Sequence, residues 1–283
     1  MDAQNIYQRV QDHYGSLART EKHSSSSAIA QAFGYTEEQL NEIPQGANLG
    51  VSCGNPLAIA TLRTGETVID LGSGAGFDVF LAGKQVGLQG RAIGVDMNKD
   101  MLARARNNHA KSGSAENVSF IEGQITSIPI ENGIADCIIS NCVINLVPEV
   151  EKPAVFAEMA RLLKPGGRVA ISDILAKKPL PNELRESVAA YVGCVAGCSP
   201  KEDYEHWLAE SGFSDIVIVD AQSDLNVYFD MADDKNQGDT DVAGSCCAQP
   251  CSNEGSKVSS CWNLAGMDIN EWAGSFKIFA VKN

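Results

Sequence analysis

Apolar and polar positions recur along this chain with two different periods, and the switches between them mark out its elements. Residues 2–17 set Ile6, Val10, Tyr14 and Leu17 at helical spacing with polar residues between, which predicts a short amphipathic helix. The run Ser24 to Ser27 reads as a flexible link, and residues 35–40 as a second helical stretch. Pro44, Gly46, Gly50 and Gly54 then mark a loop entering the core. From about residue 66 the pattern changes. Short apolar runs at 66–71, 91–96, 117–122, 135–141 and 167–174 alternate with amphipathic stretches at 77–84, 99–111 and 150–163. Strands alternating with helices predict a mainly parallel sheet covered on both faces. The turn Lys164-Pro165-Gly166-Gly167 stops one helix before the strand that follows it.

Further on, residues 184–195 and 201–211 read as helices, and 213–220 and 275–281 as strands. The stretch from about 231 to 274 is polar and rich in Gly, Ser, Asp and Cys. A connection that long in a compact domain is functional or disordered, and the last strand is expected to return to the sheet after it. No internal repeat is visible.

Composition narrows the class. With 44% hydrophobic and 20% charged residues, the 283-residue chain has enough apolar material for a sizeable core. No run approaches the roughly 20 apolar residues of a membrane-spanning helix. Residues 1–14 lack the basic start and apolar block of a secretory signal, so a cytoplasmic protein is expected. A net charge of −14 argues against nucleic acid and anionic membranes as partners, because both call for clustered Lys and Arg. In a reducing compartment the nine cysteines are expected as thiols rather than disulfides.

The strongest motif is Asp70-Leu71-Gly72-Ser73-Gly74-Ala75-Gly76, between the first strand of the alternating region and its helix. Glycines there allow a tight turn and close approach of a ligand. The spacing is G-x-G-x-G, not the G-x-G-x-x-G of nicotinamide and flavin enzymes. An acid just ahead of the glycines suits a cationic ligand rather than a pyrophosphate. Asp96, followed by Met97, ends the next strand, where a carboxylate accepts hydrogen bonds from ribose hydroxyls. These features point to S-adenosylmethionine. Gln124 and Ile125 are expected against its adenine, and Asn141 and Cys142 at the ligand-binding edge of the sheet. Cys142 reads equally well as a small buried hydrophobe.

Cysteines flank this motif on both sides. Cys53 lies in the loop Gly50-Val51-Ser52-Cys53-Gly54-Asn55-Pro56, where packing gives little reason for a thiol; Cys194 and Cys198 lie in Tyr191-Val192-Gly193-Cys194-Val195-Ala196-Gly197-Cys198. With Tyr14-Gly15-Ser16-Leu17-Ala18, the Asp70 to Asp78 loop and Ser140-Asn141-Cys142-Val143-Ile144-Asn145-Leu146, these segments resemble the arsenite S-adenosylmethionine methyltransferases in the same order, over roughly residues 5–220. The resemblance implies a Rossmann-like class I methyltransferase fold with a seven-stranded sheet. It also implies transfer of methyl from S-adenosylmethionine to thiolate-bound As(III), with arsenite and methylarsenite as substrates in arsenic detoxification. In its terms Cys53 and Cys194 bind arsenic, and Tyr14 helps cover the cofactor.

Residues 1–50 would then form a helical cap, 51–180 the cofactor core, and 181–283 the arsenic-binding and C-terminal region. A monomer is expected, with an external thiol reductant such as thioredoxin or glutathione and no metal beyond the arsenic substrate. The chemistry is sound, since As(III) is soft, thiolates are its natural ligands, and an in-line methyl displacement needs positioning more than acid–base help.

Two features depart from the family. The early cysteine pair of many relatives is replaced by Ser24 to Ser27, beside His23. The third arsenic thiol has no motif match; Cys198, Cys246, Cys247 and Cys251 are candidates for it or for a reducing relay, and an incidental chelating tail is the alternative for the late group. Two other functions stay open: methylation of an organic small molecule with structural cysteines, and a non-enzymatic thiol-rich metal-binding protein. The spacings Cys194-x3-Cys198 and Cys247-x3-Cys251 are compatible with the last but lack the paired C-x-x-C of zinc sites.

Overall fold

A computed structural model describes residues 2–20, 26–112, 116–185, 194–227 and 268–283. Its centre is β1 (Thr67–Leu71), where Val68, Ile69, Asp70 and Leu71 are all buried, as in a central strand covered on both faces. β2 (Arg91–Asp96) and β3 (Val118–Glu122) extend the sheet on one side, and β4 (Ala135–Asn141) and β5 (Leu163–Ala176) on the other, all parallel. Helices α5 (Phe77–Val86), α6 (Lys99–Ser112) and α7 (Lys152–Leu162) make the crossovers. β6 (Phe213–Asp220) follows, and β7 (Ala273–Lys282) inserts antiparallel between β5 and β6. Among the described residues the sheet has seven strands in the order β3-β2-β1-β4-β5-β7-β6. The chain winds one way from β1 and the other way from β4, so a crevice opens above the C-terminal ends of these neighbours.

The alternating core matches the expected pattern, with the returning last strand in the sheet. Differences are concentrated at loops and ends. α1 (Ala3–Arg19) is two residues longer at its C-terminal end than the periodicity indicates. Ser26 and Ser27 belong to α2 (Ser26–Ala32) instead of a link; Ser24 lies outside the described residues. α3 (Glu37–Glu42) starts later than expected, because Thr36 and Gln39 form a reciprocal capping box there. The single turn α4 (Leu57–Ala60) after Pro56 gave too short a pattern to be seen. β5 begins at Leu163 and takes in the Lys164-Pro165-Gly166-Gly167 turn through a register shift between the Ala135 and Cys137 pairings.

Of the helix expected over 184–195, α8 (Asn182–Arg185) is described, residues 186–193 lie outside, and Cys194 is not helical, with φ of +65°. α9 (Lys201–Glu210) matches its expectation. Nearly all of the insertion, with Cys246, Cys247, Cys251 and Cys261, lies outside the described residues. No described helix is long and apolar enough to cross a membrane.

α1 lies over the crevice and is held at both ends. Arg104 of α6 donates to Ala18 O at 2.9 Å, Thr20 O at 2.5 Å and Gly46 O at 3.0 Å, and Asn98 Nδ2 donates to Gln11 O at 2.8 Å. At the other end Tyr7 OH donates to Glu151 at 2.6 Å. Below the sheet, Arg168 of β5 grips Glu66 through two N–H groups, each at 2.8 Å, and also donates to Ala60 O and Thr61 O.

That forked pair is mostly buried. Arg168→Met should lower unfolding stability in urea by about 3 kcal/mol, since it strands a half-buried carboxylate. Arg168→Lys should recover little of the loss, because an ammonium cannot make the two parallel bonds.

Candidate functional site

The cleft above β1 and β4 is lined by α1 (Tyr7, Val10, Tyr14), the loop after β1 (Gly72 to Ala75), the end of β2 (Asp96 to Asn98) and the end of β4 (Asn141 to Val143). Gly72 and Gly74 have φ of +68° and +53°, which disfavours any other residue. A Cβ on Gly72 would overlap the side chain of Val143. The glycine turn is drawn onto β2 by Val95 O, which accepts from Gly72 N at 2.8 Å and Ser73 N at 3.0 Å.

Of the residues expected to bind the cofactor, Tyr14, Asp70, Gly72, Ser73, Gly74, Asp96, Met97, Gln124, Ile125, Asn141 and Cys142 all line the cleft. Gly76 does not. It begins α5 with φ of +94°, and a Cβ there would sit 2.8 Å from Phe80 and Phe120, so its role is close packing of helix on strand.

Three carboxylates crowd this cleft. Burial, followed by the charges of Asp78 and Asp96, pushes the Asp70 carboxyl well above the usual carboxylate range. Burial pushes Asp78 up to about 6 against the hydrogen bonds it accepts from Tyr35 and Asn141. Burial also raises Asp96, opposed by backbone donors; Gly74 N and Asn98 N each reach one of its oxygens at 2.8 Å. These two bonds fix the carboxylate and leave lone pairs that can accept from hydroxyl groups of a ligand. Ser73 Oγ is buried with no hydrogen-bond partner among the described residues. A glycine cradle, an unpaired hydroxyl and a cluster of buried acids together fit a ligand carrying positive charge and hydroxyl groups, as S-adenosylmethionine does.

The cysteines converge beside this cleft. Cys53 is fully buried in an apolar cluster with Ile6, Val10, Ile29, Phe33 and Ile174, not in an open loop. It is disulfide-bonded to Cys142, with 5.8 Å between Cα atoms; the expectation of thiols throughout fails at this pair. The reason is tertiary. Ser275 Oγ of β7 donates to Cys53 O at 2.5 Å, Asn141 Nδ2 to Gly54 O at 2.9 Å, and Cys53 N to Asn141 Oδ1 at 3.2 Å, so the Gly50 to Pro56 loop is laced onto the end of β4. Cys194, 4% exposed, donates its S–H to Cys142 O at 2.8 Å. Cys142 and Cys194 both have positive φ, +59° and +65°, an uncommon conformation for non-glycine residues.

Cys142 is thus the centre of the cysteine group, a place the sequence left open between cofactor contact and buried filler. Its signal was its position at the end of the strand paired with β1. Cys198 packs at the edge of the same apolar cluster, and burial pushes its thiol up to about 12. The turn before it is held by the buried Lys152, which donates to Gly197 O at 2.5 Å and Ser199 Oγ at 2.6 Å.

Sequence reasoning missed Asp173. It is fully buried on β5, with a carboxylate oxygen within 4.8 Å of the sulfurs of Cys53 and Cys142. It accepts from Asn145 Nδ2, Tyr204 OH and Ile174 N, each at 2.9 Å, and burial pushes it up to about 7. An acid inside the apolar run from Val169 to Leu175 was the available signal. Asp78 and Tyr35 were also missed as partners of Asn141.

Residues 62–212 match the family model described as a methyltransferase domain. The arsenite methyltransferase of Halobacterium salinarum is 43% identical over 210 residues, covering 74% of this chain and 53% of that protein. The arsenite methyltransferase of Aquipseudomonas alcaligenes is 35% identical over 227 residues, 77% of this chain and 64% of its own length. The chain therefore spans between about half and two thirds of the length of these relatives. Among solved structures, an arsenic(III) S-adenosylmethionine methyltransferase from Chlamydomonas reinhardtii aligns over 90% of this chain and 73% of its own, with a TM-score of 0.58 and 25% identity. With the family model spanning more than half of its length, over the strands and loops that build the cleft, the chain belongs to the methyltransferase-domain family.

Proposed function

We propose that this chain methylates trivalent arsenic held by Cys53, Cys142 and Cys194, with S-adenosylmethionine as donor. The observation that carries the reading is the convergence of these three cysteines at the rim of a cleft lined by buried acids. The arsenite methyltransferases it is similar to support the choice of acceptor. Cys142 takes the place left open for a third thiol, and Cys198, partly exposed at the edge of the cluster, is better placed as an outer thiol. Residues 1–50 serve as the cap, since α1 contributes Tyr7, Val10 and Tyr14 to the cleft.

S-adenosylmethionine, when bound, supplies an electrophilic methyl on a cationic sulfur. The residues of the chain do the positioning. Asp96 holds the ribose, Ile125 packs on the adenine, and Asp70 and Asp78 face the positive charge. Three thiolates enrich the arsenic in electrons and orient its lone pair toward the methyl carbon. The As–C bond forms as the C–S bond breaks, and arsenic formally loses two electrons. Cys53 and Cys142 can return two electrons by forming their disulfide, the state the structure holds. An external dithiol or glutathione must then reopen it, which places the protein in a reducing compartment such as the cytoplasm.

With arsenite, S-adenosylmethionine and a thiol reductant, chromatographic speciation should show methylated arsenicals. Cys53→Ser, Cys142→Ser and Cys194→Ser should each lower turnover at least about 100-fold while calorimetric binding of the donor survives. Full activity in both the Cys53 and Cys194 variants would sink the reading.

The acid cluster gives a pH test. A cation in the cleft favours the ionised form of Asp78, which burial raises to about 6 in its absence, so this group's contribution to donor affinity should be full well above pH 6 and weaken as the pH falls through it. From pH 8 to pH 5 protonation of Asp78 should raise the Kd for S-adenosylmethionine about tenfold, since displacing one proton costs a factor of ten per pH unit below 6. S-adenosylhomocysteine, whose sulfur is neutral, should change much less.

A further inference from the structure

Tyr35 lies outside the cleft, yet its hydroxyl braces the two cleft residues, Asp78 and Asn141, through which the cleft reaches Cys53. Its ring is buried against Phe77, with centroids 4.5 Å apart, and its OH donates to Asp78 Oδ1 at 2.6 Å. Asn141 Nδ2 points at three acceptors, Tyr35 OH at 2.9 Å, Asp78 Oδ2 at 3.0 Å and Gly54 O at 2.9 Å. Both Asp78 oxygens are therefore acceptors, and the tyrosine oxygen gives one bond and takes another. With its two N–H groups shared among these three acceptors, the Asn141 amide has one orientation. A flip would set its Oδ1 against the carboxylate. The retained orientation puts Oδ1 where it accepts from Cys53 N at 3.2 Å, with Cys53 Sγ at 3.8 Å. Asp78 and Asn141 line the cleft, whereas Tyr35 and Cys53 do not.

A buried phenol costs stability unless it is bonded, and a phenylalanine would fill the same space on Phe77. The hydroxyl needs a reason, and the path provides one. We propose that Tyr35 is a positioning residue that couples the two halves of the site, so that a ligand seated against Asp78 fixes the Asn141 amide and thereby the loop carrying Cys53. The inference rests on the cleft being the methyl-donor site, as argued above. It deepens that reading by making the thiol side respond to occupancy of the donor side. By linkage the effect is reciprocal, and coupling of this kind amounts to a factor of about 5 to 150.

The test uses the full chain with its disulfide reduced. The alkylation rate of Cys53 by iodoacetamide is followed by peptide mass spectrometry with and without saturating S-adenosylhomocysteine. In the wild type the ligand should slow alkylation at least about fivefold, since a fixed loop opens less often. In Tyr35→Phe, which keeps the ring on Phe77, the ratio should fall below about twofold while calorimetry still shows the ligand bound. Asp78→Asn, similar in shape with one acceptor turned donor, should lose the ratio too at a ligand concentration that calorimetry shows to saturate this variant, and it carries the test alone if circular dichroism shows Tyr35→Phe unfolded.

Simple shielding of Cys53 by the ligand would leave the wild-type ratio unchanged in both variants, and that result overturns the proposal. So does a wild-type ratio near one. No arsenic is needed for this readout. A failure of the arsenic reading would show separately, as absence of arsenite binding by the reduced wild type.

Discussion

Three carboxylates within one cleft, Asp70 and Asp78 buried and Asp96 partly so, are the constraint around which the rest of this molecule is arranged. Asp70 is the next-to-last residue of β1, Asp78 lies in the first turn of α5, and Asp96 closes β2. Burial raises all three, and Asp78 and Asp96 also act on Asp70. Such a group is tolerable only with compensating donors, and the fold supplies them: backbone N–H groups for Asp96, and Tyr35 and Asn141 for Asp78. What the donors leave uncompensated is an electrostatic demand for a cation. A sulfonium meets that demand and a pyrophosphate would worsen it.

The same donors give the acceptor side its shape. Asn141 satisfies Asp78 with one end of its amide and receives the Cys53 loop with the other. Its neighbour Cys142 is the sulfur to which Cys53 is bonded and the carbonyl to which Cys194 donates. Two adjacent residues at the end of one strand therefore serve the donor cleft and the thiol cluster. β7 completes the arrangement from the far end of the chain, because Ser275 pins Cys53 O.

How much of this was legible beforehand follows from the range of each interaction. The glycine motif, Asp96 and the alternating strands could be read because each is a local pattern, and the cleft contains them nearly as expected. Gly76 shows the limit, since a motif position turned out to serve packing against Phe80 and Phe120, residues 4 and 44 positions away. Among glycines and a proline, packing gives little local reason for a thiol at Cys53, yet it is buried because α1, α2 and β5 close around it. Asp173 sat unnoticed in an apolar strand, since nothing local shows that Asn145 and Tyr204 will bond it.

By itself the sequence determined the order of strands and helices, the glycine turn with its acids and the presence of thiols on both sides of it. These depend on periodicity and backbone preference within a few residues. Only the tertiary structure decided which thiols meet. Cys53, Cys142 and Cys194 are separated by 89 and 52 residues, and no local preference can pair groups so far apart. They are joined because β4 lies between β1 and β5 in the sheet, and that position brings Asn141, its last residue, and Cys142, just beyond it, to the loop that carries Cys53 and the segment that carries Cys194.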